Sequence, residues 1–315
     1  MTNPPILKVE KVPELVVDML SADYTVLAYE TMTAAQFAEV AETVQVILAS
    51  GESSVPANLI EKLPHLKLIA VFGVGYDGVD MPAALAKGVK VTHTPDVLTD
   101  DVADLGMALM LATARRIVAA QRFIESQQWG KQPSPLATKV SGSRLGIVGF
   151  GRVGQAVAKR AAAFNMQIGY FSLEQVPDSP YTYYADLSAL ARQSDVLMLC
   201  LSGGTTTKHI VNADILQALG NKGILINIAR GSVVDEQALV HAIENHIIAG
   251  AGLDVFADEP HVPPALLHND RVVVTPHIGS ATLSTRTAMG RLVVDNIDLF
   301  FARKALKTPV PECRE

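Results

Sequence analysis

Residues 144–160 read RLGIVGFGRVGQAVAKR. Leu145, Ile147 and Val148 form a short apolar run with β-branched members between turn formers, which predicts a buried strand. Gly149, Gly151 and Gly154 follow as G-x-G-x-x-G, and Ala156, Val157, Ala158 and Ala161 supply small and apolar helix positions. In a dinucleotide site the first glycine makes the tight turn, the second lets backbone approach a pyrophosphate, and the third packs helix on strand. The helix N-terminus then offers N–H groups and partial positive charge to the phosphates. Glycine turns between strand and helix are common for backbone reasons alone. Here the strand before and the helix after supply the context that a nucleotide cofactor requires.

Working toward the C-terminus, strands are predicted at Leu145–Gly149, Gln167–Phe171, Val196–Leu201, Gly223–Ile228, Gly250–Val255 and Val272–Thr275. Helices are predicted at Asp186–Arg192, Ala213–Leu219 and Glu236–Glu244. This alternation predicts a doubly wound sheet, in which ligands bind beyond the carboxyl ends of the strands. Those ends carry Ser172, then Ser202-Gly203-Gly204-Thr205, Ala229-Arg230-Gly231, Asp258-Glu259-Pro260 and Pro276-His277-Ile278-Gly279. Arginine holds a carboxylate bidentately, and histidine trades a proton near neutral pH. A carboxylate bonded to the other ring nitrogen orients the imidazole and favours its charged form. Taken singly, Arg230 reads as a carbonyl cap, Glu259 as a loop charge and His277 as a hydrogen-bonded residue behind Pro276. Together on one rim they read as a catalytic set.

Working toward the N-terminus, apolar runs at Thr25–Glu30, Val44–Ser50, Leu66–Phe72 and Val89–Thr92 predict parallel strands, with helices at Thr33–Glu42 and Pro82–Lys87. They predict a smaller doubly wound domain. Gly73-Val74-Gly75-Tyr76-Asp77-Gly78-Val79-Asp80 follows the third of these strands. It reads either as an ordinary βα turn or as an anion nest of consecutive N–H groups. Thr99-Asp100-Asp101 opens one long helix from Val102 to about Ile124, with acidic charges in its first turn. Arg115, Arg116 and Arg122 read as solvent-facing charges that complement its C-terminus. Gln127–Ser143, with Trp129, Pro133 and Pro135, reads as a linker or interface arm. His93, His209, His241, His246, His261 and His268 read as surface or loop residues, and no metal cluster is evident.

The 315 residues suffice for two domains with separate cores, and 49% of them are apolar without a run of membrane-spanning length. MTNPPILKVE lacks the pattern of a secretory signal. A net charge of −6 without basic blocks argues against nucleic acid as partner. Cys200 and Cys313 suggest neither a disulfide framework nor a metal site, which points to a reducing, cytoplasmic setting.

GFGRVG (149–154), NIARGSVVDEQAL (227–239), GLDVFADEP (252–260) and TPHIGSAT (275–282) occur in order along the chain. In these four motifs the chain resembles the D-isomer-specific 2-hydroxyacid dehydrogenases, particularly the glyoxylate/hydroxypyruvate reductase branch. The resemblance implies a Rossmann-type cofactor domain, residues 99–283, inserted into a flavodoxin-like substrate domain of residues 1–98 and 284–315. It also implies a homodimer with the helix from Val102 and the Trp129 arm at its interface. By the same resemblance Arg230 binds the carboxylate and carbonyl of a small 2-keto acid, His277 is the acid/base, and Glu259 is its partner. Val74 and Gly75 N–H groups would hold the carboxylate, and Arg286 would add positive charge. Asp254 matches the position that bonds the nicotinamide carboxamide. The remaining cofactor positions are Gly149, Gly151, Arg152, Val153, Gly154, Ser172, Leu201, Ser202, Thr205, Ile228, Ala229 and Gly279, with Arg230 and His277 at the nicotinamide end. Glu259 separates the chain from formate dehydrogenases of this fold, which exchange no proton with a substrate oxygen.

An acidic residue about 20 positions into the fingerprint bonds the ribose 2′-hydroxyl of NAD and repels a 2′-phosphate. Here that place is Ser172, followed by Leu173, Glu174 and Gln175. The missing acid favours NADP, whereas the missing neighbouring base and Glu174 leave NAD possible. Three alternatives stay open: a cofactor-sensing binding protein of this fold, a 3-phosphoglycerate or phosphite oxidiser, and a dehydrogenase for an aromatic acid such as phenyllactate.

Overall fold

The computed structural model describes residues 4–51 and 53–314. The chain divides into two compact units, one running up to Leu98 and resuming at Thr282, the other spanning Thr99–Ala281. The return to the first unit comes two residues before the expected boundary. Thr282 belongs with the last helix, because its side chain accepts the Thr285 N–H and caps that helix.

The first unit begins with β1 (Ile6–Lys8), α1 (Glu14–Ser21), β2 (Val26–Ala28), α2 (Ala34–Ala41) and β3 (Val46–Ser50). It continues with α3 (Ala57–Glu61), β4 (Leu68–Phe72), α4 (Met81–Ala86) and β5 (Lys90–Thr92). All five strands are parallel, in the order β2-β1-β3-β4-β5, the flavodoxin-like arrangement. Every residue of β3 and β4 is buried, as a parallel sheet covered on both faces requires. Local signals agree with this pattern. Thr33 and Gln36 form a reciprocal capping box at α2, and Asp80 accepts the Ala83 N–H at α4. Three elements of this unit lie outside the expected stretches, β1, α1 and α3. The expected strand Thr25–Glu30 is shorter, because residues Tyr29–Thr31 wind into a 3₁₀ turn.

The second unit contains α5 (Thr99–Ala114), α6 (Ile117–Glu125), β6 (Arg144–Val148), α7 (Arg152–Ala162), β7 (Gln167–Phe171) and β8 (Thr182–Tyr184). After these come α8 (Leu187–Arg192), β9 (Val196–Leu199), α9 (Ala213–Leu219), β10 (Ile224–Asn227), α10 (Glu236–Glu244), β11 (Gly250–Leu253) and β12 (Val272–Val274). The sheet order is β12-β11-β10-β9-β6-β7-β8, all parallel. Counted within the unit this is the Rossmann order 3-2-1-4-5-6 with a seventh strand added. The order reverses between β6 and β9, and doubly wound sheets bind ligands beyond such a reversal, here past Val148 and Leu199. The final helix, α11 (Leu283–Phe301), returns to the first unit. A side chain at its Gly290 would meet the Met19 sulfur at 2.9 Å, so α11 lies close on α1.

The single long helix expected from Val102 to Ile124 is two helices. Arg116 adopts φ 54° and its N–H turns back to Thr113 O, three residues away. A left-handed residue at this point ends a helix and lets the chain leave in a new direction. Arg115 and Arg122 are exposed as expected, but Arg116 is half-buried and its Nε is buried without an acceptor.

Gly154 packs α7 against the turn before it, since a Cβ there would lie 2.2 Å from Gly149 O. Gly154→Ala is therefore expected to destabilise the protein by about 1–3 kcal/mol through overpacking. A thermal melt should fall by several degrees, at roughly 2–4 °C per kcal/mol for a unit of this size.

Candidate active site

In the second unit the turn after β6 is shaped for a phosphate-bearing ligand. Gly149 has φ 90°, and a Cβ there would lie 2.7 Å from the Leu201 backbone across the sheet reversal. Gly151 precedes α7 with open space where a side chain would stand. Arg152, Val153 and Gly154 form the first turn of α7, whose N–H groups face the carboxyl end of β6. These residues fit a dinucleotide pyrophosphate, which is the group that the fold implies. Ser172 lies just past β7 and donates its hydroxyl to the Glu174 carbonyl, while Leu173 beside it is exposed. Leu201, Ser202 and Thr205 lie in the loop after β9 on the same rim, and Thr207 braces that loop by donating to Ser202 O at 2.9 Å.

The turn after β10 presents Arg230. Asn227 is buried at the end of that strand, donates to Arg230 O at 2.9 Å and accepts the Ala229 N–H at 3.0 Å. Ile228 and Ala229 are buried beneath this turn. Gly231 lets the turn lie against the chain leaving β11, since a Cβ there would come 1.8 Å from Phe256 O. That approach brings Arg230 near Glu259, whose carboxyl it helps to hold down.

Glu259 and His277 meet. Glu259 Oε1 accepts the Phe256 N–H at 3.0 Å, and Oε2 lies 2.8 Å from His277 Nδ1. Burial raises the Glu259 carboxyl, but the His277 hydrogen bond and charge, the Phe256 N–H and Arg230 outweigh it. The net effect is a carboxyl below its ordinary range. An ionised carboxylate only accepts, so His277 Nδ1 is the donor. Glu236, the first residue of α10, accepts the Ala257 N–H at 3.0 Å and steadies the loop that carries Glu259.

His277 stands in the left-handed region at φ 51°, which a side chain with a Cβ rarely adopts. Asp254, 1% exposed, holds it there. Its Oδ1 accepts from the Thr275 hydroxyl at 2.6 Å and the Ile278 N–H at 2.8 Å, its Oδ2 accepts from the Gly279 N–H at 2.8 Å, and its carbonyl accepts the His277 N–H at 2.9 Å. Burial raises the Asp254 carboxyl, and these partners with the His277 charge only partly offset that rise.

The remaining expected site residues lie in the first unit. Val74 and Gly75 follow β4, and the Arg286 guanidinium lies 5.5 Å from the centre of the Phe72 ring that ends β4. His93 corrects the sequence reading. It lies in the loop just past β5, as expected, but is buried, 6% exposed with Nδ1 2.9 Å from Val74 O. Asn227, Glu236 and Thr275 were missed as organisers, although Asn227 and Glu236 fall inside one of the four motifs and Thr275 opens another. Among the described residues no group of three or more His, Cys, Asp or Glu could hold a metal ion.

The pair has a pH signature. A carboxyl held below its ordinary range contributes stability above that range and loses it as pH falls through the lowered value. Glu259→Gln is expected to lower stability by about 1.5–3 kcal/mol near pH 6, the range for a hydrogen bond to a charged group. Melts run down the acid range should show that this deficit shrinks as wild-type Glu259 protonates. A constant deficit would contradict the ion-pair account.

Residues 107–279 match the family model described as the NAD binding domain of D-isomer specific 2-hydroxyacid dehydrogenase. The chain is 46% identical over 270 residues to hydroxyphenylpyruvate reductase from Plectranthus scutellarioides, covering 86% of each chain. It is 40% identical to 2-ketogluconate reductase from Gluconobacter oxydans, covering 98% of this chain and 99% of that one. An NADPH-dependent glyoxylate/hydroxypyruvate reductase from Sinorhizobium meliloti, solved with NADP and malonate, superposes with a TM-score of 0.92 at 40% identity. That match covers 99% of this chain and 98% of the other.

Proposed function

Because the chain belongs to the D-isomer-specific 2-hydroxyacid dehydrogenases, we propose that it reduces a small 2-keto acid, hydroxypyruvate or glyoxylate foremost, to the D-2-hydroxy acid. The observation that carries this reading is the Glu259–His277 pair beside Arg230, on the rim of a sheet whose reversal holds the glycine turn. A bound nicotinamide would supply the hydride that goes to the keto carbon. The chain's own residues do the rest. Arg230 binds the carboxylate and polarises the carbonyl. His277 Nε2 gives its proton to the carbonyl oxygen as charge develops there, and ionised Glu259 favours the charged imidazole that makes this donation possible. The Val74 and Gly75 N–H groups hold the substrate carboxylate, and Arg286 adds positive charge to that side.

Gly149, Gly151, Arg152, Val153 and Gly154 cradle the pyrophosphate, with Leu201, Ser202, Thr205, Ile228, Ala229 and Gly279 along the rim. Asp254 Oδ2 accepts one protein N–H and has capacity for one more, which suits the nicotinamide carboxamide. NADP is the favoured cofactor. Ser172 puts no charge where NAD selection uses an acid, and the relative from Sinorhizobium meliloti was solved with NADP.

The protein acts as a homodimer through α5, α6 and the Trp129 arm. Ile117, Ile124, Trp129 and Leu136 are exposed apolar side chains on those segments, the kind of patch a partner covers. A cytoplasmic setting suits its free Cys200 and Cys313, and no helix among the described residues is long and apolar enough to cross a membrane.

The first test monitors absorbance with NADPH and NADH against hydroxypyruvate, glyoxylate, hydroxyphenylpyruvate and 2-ketogluconate. Hydroxypyruvate or glyoxylate with NADPH should give the highest kcat/KM, exceeding NADH by about tenfold, or 1.4 kcal/mol. His277→Ala should lower kcat by about 10²–10⁴ and leave NADPH affinity intact. Absence of turnover with every pair, in protein that binds NADPH, would move the cofactor-sensing reading to first place. Analytical ultracentrifugation should give twice the monomer mass, and Trp129→Ala with Leu136→Ser should weaken that assembly.

A further inference from the structure

In the first unit the backbone leaves β4 through Gly73, Val74 and Gly75. Gly73 takes φ 158°, and a Cβ there would meet the Gly51 backbone at 3.2 Å. Two consecutive residues draw the carbonyls of this crossing toward themselves. The Thr94 N–H donates to Gly73 O at 2.8 Å, and His93 Nδ1 donates to Val74 O at 2.9 Å. A carbonyl only accepts, so Nδ1 carries the proton. In a trans peptide the N–H of the next residue points opposite to the carbonyl. The Val74 and Gly75 N–H groups therefore turn away from residues 93 and 94. Neither finds an acceptor among the described residues.

His93 is itself fixed from several sides. Its N–H donates to Thr308 O at 3.1 Å, and its carbonyl accepts the Thr308 hydroxyl at 2.6 Å. Asn296 on α11 donates in turn to Thr308 Oγ1 at 2.9 Å. The ring of Tyr76 stands edge-on to the imidazole, centroids 5.6 Å apart at 89°. The Tyr76 hydroxyl donates to the Glu312 carboxylate at 3.0 and 3.2 Å. Burial and then this bond push the Tyr76 phenol up to about 12, so it remains a donor at any ordinary pH.

We propose that His93 is a positioning residue, whose Nδ1–H holds the Val74 peptide plane so that the Val74 and Gly75 N–H groups form the seat for a substrate carboxylate. It touches no substrate. Its effect passes through the backbone: Thr308 holds the His93 main chain, and Tyr76, bonded to Glu312, stands against the ring. This rests on the 2-keto acid reading above, because that reading supplies the carboxylate.

The test compares wild type with His93→Ala and His93→Asn. The asparagine amide nitrogen, like Nδ1, hangs from Cγ and can donate to Val74 O, but it lacks most of the ring. Oxalate affinity is measured by titration calorimetry, beside kinetics with hydroxypyruvate and a direct NADPH titration. His93→Ala should weaken oxalate and raise KM for the keto acid by about tenfold, the size of one oriented hydrogen-bonding unit. Its kcat should stay within about threefold, and NADPH affinity should not change. His93→Asn should return both oxalate affinity and KM to within about threefold of wild type. Unchanged oxalate affinity in His93→Ala overturns the proposal. So does a folded His93→Asn variant as weak as the alanine, which would make the ring a mere filler. If wild type reduces no 2-keto acid but His93→Ala still loses oxalate and His93→Asn regains it, the role of His93 stands and the dehydrogenase reading falls.

Discussion

The candidate site depends on one buried carboxylate that does no chemistry. Asp254 sits at the end of β11 with both side-chain oxygens bonded to the segment after β12. Taking a carboxylate out of water is unfavourable unless hydrogen bonds replace the lost hydration. Here a hydroxyl and two backbone N–H groups replace part of it, while burial holds the carboxyl above its ordinary range. What the protein gains is a histidine held in a backbone region it would otherwise avoid. The imidazole can then meet Glu259 without the freedom of an ordinary loop.

The same logic recurs at the neighbouring strand ends. Asn227 closes the turn under Arg230, Glu236 ties the loop before Glu259, and Glu259 accepts a backbone N–H with the oxygen that His277 leaves over. Each functional side chain is presented by a turn that a polar side chain has already closed. In the first unit His93 does this for the loop after β4. The strands supply position to within a residue, and the polar closures supply orientation.

Much of this was legible in the residues themselves. The glycine turn, the apolar strands and the polar residues just beyond them state the doubly wound class, because parallel strands buried on both faces have a distinctive composition. Helices Ala213–Leu219 and Glu236–Glu244 lie at the stretches that the residues mark as helical. Three features were not legible. The break at Arg116 carries no glycine or proline, so nothing local announces the left-handed turn. The strands Ile6–Lys8 and Thr182–Tyr184 are three residues long, too short to show a period. His93 looked like any histidine between strand and helix, because its partner Val74 is 19 residues away and is engaged through a carbonyl that every residue has. Side-chain chemistry is written in sequence, whereas which backbone group it will meet is written only in the fold.

The discontinuity of the first unit has a consequence for how the polypeptide is made. Its sheet is encoded in the first 98 residues, yet α1 waits for Gly290 of α11, and His93 waits for Thr308. On a ribosome, where domains fold as they emerge, the inserted unit is complete before the earlier one has received its last helix. The first unit is thus begun first and finished last. Through most of synthesis the face of α1 that will receive α11 is open to whatever chaperone or neighbouring chain is near.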